Sequence, residues 1–248
     1  MALGDLRRRT SVTATATHHV TTQNHADTDS RGRQMSEPHA DQPVHTAGTP
    51  LDDARVAVVM IHGRGARAEG FLQLADEIDV DGVAYLAPQA QRGSWYPNRF
   101  VDPIESNEPH LTAALGVVAD TIERALEAGL DHEQIVLMGF SQGACLASEY
   151  VARNPRAYGG LVAFSGGLIG PLGMDFDHDG ELDGTPAFFG CSDSDPHIPE
   201  TRVTESADVF ERLGATVETR LYEGMGHTIV DDEVEYVVEL LSTLAGSD

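Results

Sequence analysis

Residues 134–153 read QIVLMGFSQGACLASEYVAR. An apolar run of strand length leads into Gly139-Phe140-Ser141-Gln142-Gly143, and a stretch rich in small residues follows with helical character. A strand therefore turns directly into a helix at Ser141, with a glycine two residues to either side. A serine on so tight a turn has a strained backbone, and bulk at the flanking positions would clash with the neighbouring strand and helix. Gly139 and Gly143 remove that bulk. The turn lifts the Ser141 hydroxyl off the end of the sheet, where a helix N-terminus favours developing negative charge.

Outward from this turn the same unit recurs. RVAVVMI (55–61) is a β-branched run of the kind buried on both faces, followed by the Gly-rich loop HGRGARAEG (62–70) and a helical pattern in FLQLADEID (71–79). VAYLAP (83–88) ends in a loop, and a long amphipathic helix through EPHLTAALGVVADTIERALEAG closes at Gly129. GGLVAFSGG (159–167), PAFFGCS (186–192) and ATVETRLYEG (215–224) supply further strands, with helices near 199–213 and 231–244. Strands alternating with helices predict an α/β fold, a mostly parallel central sheet with helices on both faces. In such sheets ligand chemistry gathers at the carboxyl ends of the strands.

A chain of 248 residues with 41% apolar content suits one sizeable domain, expected over residues 51–248. Residues 1–50 are polar, rich in Thr and His and without apolar periodicity, and are predicted to be a disordered tail because they bury too little to offset their ordering entropy. The tail histidines His18, His19, His25, His39 and His45 are irregularly spaced and define no specific metal site. LRRRTSV near the start lacks the apolar segment an export signal needs. No run approaches the roughly 18 to 20 apolar residues of a membrane span, so membrane insertion is not expected.

Forty acidic residues face sixteen basic ones, all of them arginine, for a formal charge of −24. That charge repels nucleic acid and anionic membrane surfaces, which excludes both as partners. The acids are spread along the whole chain, a composition that resembles proteins of very salty cytoplasm, where counter-ions screen self-repulsion within a few ångströms. Cys145 and Cys191 form no disulfide framework and read as buried small apolar residues, consistent with a cytoplasmic protein.

A serine hydroxyl is a weak nucleophile and needs a base and an orienting acid, following it in the order Ser, Asp, His on this type of sheet. His227, in LYEGMGHTI between the last strand and the last helix, is the candidate base, with His197 as runner-up. Asp193 and Asp195 in CSDSDPHIP are the candidate acids, and Asp195 is preferred because Pro196 stiffens the turn behind it. His62 opens the first loop and is read as shaping it. RGSWYPNRF carries Trp95, Tyr96 and Phe100, and Trp95 is a candidate for the wall of the substrate pocket.

HGRGA (62–66), GFSQGA (139–144), DPHIP (195–199) and YEGMGH (222–227), in this order and spacing, resemble the phospholipase/carboxylesterase family of α/β-hydrolases, which includes acyl-protein thioesterases. The resemblance spans about residues 55–245. It implies an α/β-hydrolase fold with Ser141 as nucleophile, Asp195 as acid and His227 as base. It further implies an oxyanion hole from the backbone N–H groups of Arg64 and Gln142, and no metal or organic cofactor. Arg64 stands where thioesterase-like members usually carry an apolar residue, which argues against a lipid-type acyl group.

The expected function is a carboxylesterase acting on small, short-acyl esters, with a small-molecule ester as partner. Lysophospholipase or acyl-protein thioesterase activity on longer chains is the alternative. A serine peptidase would normally need a substrate-gating domain for which the chain has no room, and a binding module would be expected to lack a triad member. DFDHDGELD (175–183) places acids at calcium-loop positions, but Pro186 stands where the bidentate glutamate belongs, so a solvated acidic loop is the expectation.

Overall fold

The computed structural model describes residues 37–246. Seven strands form one sheet in the order β1-β3-β2-β4-β5-β6-β7. They are β1 (Val44–Gly48), β2 (Val56–Ile61), β3 (Val83–Pro88), β4 (Ile135–Phe140), β5 (Gly160–Phe164), β6 (Pro186–Ser192) and β7 (Thr216–Tyr222). All neighbours pair in parallel except β1, which runs antiparallel to β3 at the edge. The helices are α1 (Ala68–Leu72), α2 (Leu74–Ile78), α3 (His110–Glu127), α4 (Gln142–Arg153), α5 (Glu200–Arg212) and α6 (Asp231–Ala245).

β2, β3, β4 and β5 are buried almost throughout, as continuous β-branched and aliphatic runs predict for strands covered on both faces. Alternation splits each strand between two cores. Ala57, Val59 and Ile61 pack with α3, α4 and α5, whereas Val56, Val58 and Met60 pack with α1, α2 and α6. The helix expected over 71–79 is two short pieces meeting at Gln73, whose backbone stays in the α region.

The expected tail boundary at residue 50 is wrong. From Glu37 onward the chain belongs to the same compact unit as the rest of the domain. β1 pairs Val44 through Gly48 with Pro88 through Ala84, and His39 is 2% exposed, donating from Nε2 to the Trp95 carbonyl at 2.9 Å and accepting the Gln91 N–H at Nδ1 at 3.0 Å. An edge strand is paired on one side only, so it needs no continuous apolar run, and its polar composition concealed it. The rest of the expected tail, with His18, His19 and His25, lies outside the described residues. Among the described residues no helix is long and apolar enough to cross a membrane.

Candidate active site

β4 ends at Phe140 and α4 begins at Gln142, leaving Ser141 between them at φ 55° and ψ −118°. Such a backbone is costly for any residue with a side chain and persists only where its surroundings over-determine it. Here the Ser141 N–H donates to the Phe164 carbonyl on β5 at 2.9 Å, and the Ser141 carbonyl accepts the first bond of α4 from Cys145 at 3.0 Å. A Cβ at Gly139 would collide with the backbone of Gly143, and one at Gly143 with the carbonyl of Ile61. The paired glycines thus let α4 cross the ends of β2 and β4 closely enough to hold the serine out.

The loops after β6 and β7 meet this serine from the side. His227 lies 2.9 Å from Ser141 Oγ through Nε2 and 2.7 Å from Asp195 Oδ2 through Nδ1. A carboxylate oxygen only accepts, so Nδ1 carries the proton and Nε2 faces the serine hydroxyl as an acceptor. Asp195 Oδ1 accepts the backbone N–H groups of His197 at 2.8 Å and Ile198 at 3.0 Å. Burial works against the charge on Asp195, but the His227 bond and these two N–H groups outweigh it and hold the carboxyl below its ordinary range. Asp193 instead accepts the Gly224 N–H at 3.0 Å and so braces the loop that carries His227. His197 stacks edge-on against His227 with centroids 4.9 Å apart and makes no bond to Ser141.

Gly63 packs against Ser141, and the backbone N–H groups of Arg64 and Gln142 have no partner among the described residues. The loops bearing them are tied together by side chains whose role the sequence concealed. Buried Gln142 accepts the Trp95 N–H at 3.0 Å through Oε1 and donates from Nε2 to the Tyr96 carbonyl at 2.8 Å. The Trp95 indole N–H donates to the His62 carbonyl at 2.9 Å. His62 is fully buried: Nδ1 donates to the Gly63 carbonyl at 2.8 Å, and Nε2 accepts from Ala90 at 3.1 Å and Gln89 at 3.2 Å. Burial lowers the pKa of both His62 and His39, so each is held neutral.

Trp95 was expected on the pocket wall and is not there. Its side chain is 0% exposed and sits between the His39 and His62 rings, because its indole N–H is consumed by the loop it anchors. The cavity above Ser141, about 550 Å³ in volume, is walled instead by Arg64, the Tyr96–Phe100 loop, Asp102, Ile198 and His197. The Arg64 guanidinium donates to the carbonyls of Pro97 at 2.9 Å and Asn98 at 2.6 Å. Among the described residues no group of three or more His, Cys, Asp or Glu side chains is arranged to hold a metal ion, and Gly180 in the acidic loop packs on the Pro155 ring.

A parallel sheet with an antiparallel edge strand, flanking helices, a serine on a strained strand-to-helix turn and a histidine from the last loop define an α/β-hydrolase. Residues 47–245 match the Phospholipase/Carboxylesterase family, and the chain belongs to it. It is 27% identical over 206 residues to acyl-protein thioesterase 1 of Saccharomyces cerevisiae, covering 75% of this chain and 91% of that one. Among solved structures, a phospholipase/carboxylesterase of Dyadobacter fermentans is 40% identical with a TM-score of 0.78, covering 84% of this chain and 98% of that chain. A Bacillus cereus carboxylesterase shares the fold at 21% identity and a TM-score of 0.66, over 83% and 95% of the two chains. The protein is a carboxylic ester hydrolase.

Proposed function

We propose that Ser141, His227 and Asp195 act as nucleophile, general base and orienting acid, with the N–H groups of Arg64 and Gln142 as oxyanion hole, in the hydrolysis of short-acyl carboxylic esters. The observation that carries this reading is the unbroken chain of hydrogen bonds from Ser141 Oγ through the His227 ring to Asp195. His227 Nε2 takes the hydroxyl proton as Oγ bonds to the ester carbonyl carbon, and Asp195 stabilises the imidazolium while the two N–H groups bind the oxyanion. Collapse expels the alcohol, which leaves with the proton from His227. A water deprotonated by His227 then attacks the acyl-enzyme, releasing the acid and restoring Ser141.

A fluorophosphonate probe labels the wild-type chain and not Ser141→Ala, whose kcat for a simple ester drops by about 10⁴-fold or more. Labelling of Ser141→Ala would point to another nucleophile. The short-acyl preference is supported by a cavity of about 550 Å³ whose wall is interrupted by Asn98, Arg99 and Asp102. Lysophospholipase or acyl-protein thioesterase activity on longer acyl chains forms the second reading, and the yeast relative is an acyl-protein thioesterase. A series of nitrophenyl esters separates the two. The first reading expects kcat/KM to fall with chain length, whereas a rise past about eight carbons, at roughly 0.8 kcal/mol for each buried methylene, favours the second.

A further inference from the structure

Two arginines share the cavity wall above Ser141 in a molecule with a large excess of acid. Acidic residues outnumber arginines 40 to 16; among the described residues Arg153, Arg202 and Arg220 are ion-paired with carboxylates, whereas Arg67, Arg92, Arg124, Arg156 and Arg212 are not. Arg64 and Arg99, both exposed and both on the wall above Ser141, have no carboxylate within ion-pair distance among the described residues. The two guanidinium bonds that Arg64 makes go to neutral carbonyls, which fix its position and leave its charge in place. The backbone of Arg99 is fixed as well: its N–H donates to Asp102 Oδ2 at 3.0 Å, and its carbonyl accepts from the buried Asn107 amide at 3.2 Å. Asp102 is the carboxylate on this wall; its bond to a neutral backbone N–H orients it and leaves its negative charge in place. Arg64, from the loop after β2, and Arg99, from the loop after β3, set two guanidinium charges against the single carboxylate of Asp102 on a wall fixed by these bonds, an excess of positive charge that suits a negative group.

We propose that the esters this cavity takes carry a carboxylate, held against the guanidinium groups of Arg64 and Arg99 while Ser141 attacks the ester carbonyl. The proposal rests on the ester-hydrolase reading of the cavity and specifies its substrate class as half-esters and ester acids. An oriented charge-assisted contact outside the reacting bond lowers KM and also positions the carbonyl, so it registers in kcat/KM.

Two matched pairs test it in one buffer at one salt concentration, with uncatalysed hydrolysis subtracted. Mono-4-nitrophenyl adipate is compared with 4-nitrophenyl hexanoate, and 3-acetoxybenzoate with its methyl ester. The expected result is a kcat/KM ratio of anionic to neutral ester of about tenfold in at least one pair, falling toward unity in Arg99→Gln and retained in part by Arg99→Lys. Neutral esters hydrolysed as fast as anionic ones in both pairs would overturn the proposal and leave the hydrolase intact. So would a ratio unchanged in Arg99→Gln, or Arg99→Lys performing no better than Arg99→Gln. Turnover of none of the four esters would remove the hydrolase reading and this proposal together.

Discussion

Ser141 shows how few atoms decide whether this turn exists. Its φ of 55° is tolerated because Phe164 and Cys145 bond its backbone and because nothing projects from Gly139 or Gly143. Gly143→Ala places a methyl on the Ile61 carbonyl, an overpacking that costs about 2 to 3 kcal/mol. For a domain of this size that corresponds to a fall in Tm of roughly 5 to 10 °C, with loss of ester hydrolysis as the turn shifts. A thermal melt together with an esterase assay checks both, and a variant with wild-type Tm would show that α4 can slide away at no cost. At this scale the sequence was informative about groups whose spacing is dictated by chemistry. Ser141, Asp195 and His227 could be named because the turn, the strand ends and the loop before α6 each restrict the choice, and the structure brings the three within hydrogen-bond distance. Trp95 was misplaced because an aromatic residue in a loop after a strand looks the same whether it faces substrate or anchors the loop, and only its contacts distinguish the two.

At the scale of elements, the loop that carries Arg64 is held by buried His62 and the loop that carries Trp95 by buried His39, and this couples stability to pH. A histidine whose folded pKa lies below its ordinary value of 6.5 binds fewer protons folded than unfolded, so stability falls as pH drops through 6.5 toward the folded value. His62 Nε2 accepts two N–H bonds and cannot also hold a proton, and His39 Nδ1 is likewise an acceptor. The two histidines therefore contribute a loss of stability between about pH 7.5 and about pH 5, opposed over the same range by buried Glu233, whose carboxyl is pushed up to about 7 so that its protonation favours the folded state. His39→Gln should start with a lower Tm, and its gap to wild type should narrow as pH falls over the same range. Parallel curves for wild type and variant would remove His39 from the account. Asp195 acts lower on the scale: its depressed carboxyl contributes stability that is present above the ordinary value of 3.8 and lost as pH falls through the folded one. β1 belongs to the same assembly. A chain starting at Leu51 loses the β1 ladder and the His39 bonds to Trp95 and Gln91, so its Tm should lie well below that of a chain starting at Glu37. Equal values would return residues 37–50 to the status of a dispensable tail.

Over the whole molecule, a formal charge of −24 opposes compaction unless counter-ions screen it. Since the screening length falls from about 10 Å at 0.1 M salt to about 3 Å at 1 M, Tm should rise across that range. A flat or falling curve would remove the reading of the protein as adapted to high salt. The sequence by itself determined the run of strands from β2 to β7 with helices between them, the parallel sheet they form, the acidic composition and the turn at Ser141. Each of these is written locally, in hydrophobic periodicity, in composition, or in the absence of a Cβ at two positions. Tertiary structure alone decided that residues 37–50 belong to the domain, that Trp95 lies beneath the site and not in it, and that Gln142 ties its own helix to the loop at Trp95 and Tyr96. It also decided that Arg64 and Arg99 share one cavity wall. Those outcomes depend on which groups meet across 28 to 56 residues of intervening chain. A local pattern carries no information about a hydrogen-bond partner that distant until the sheet has brought the loops together.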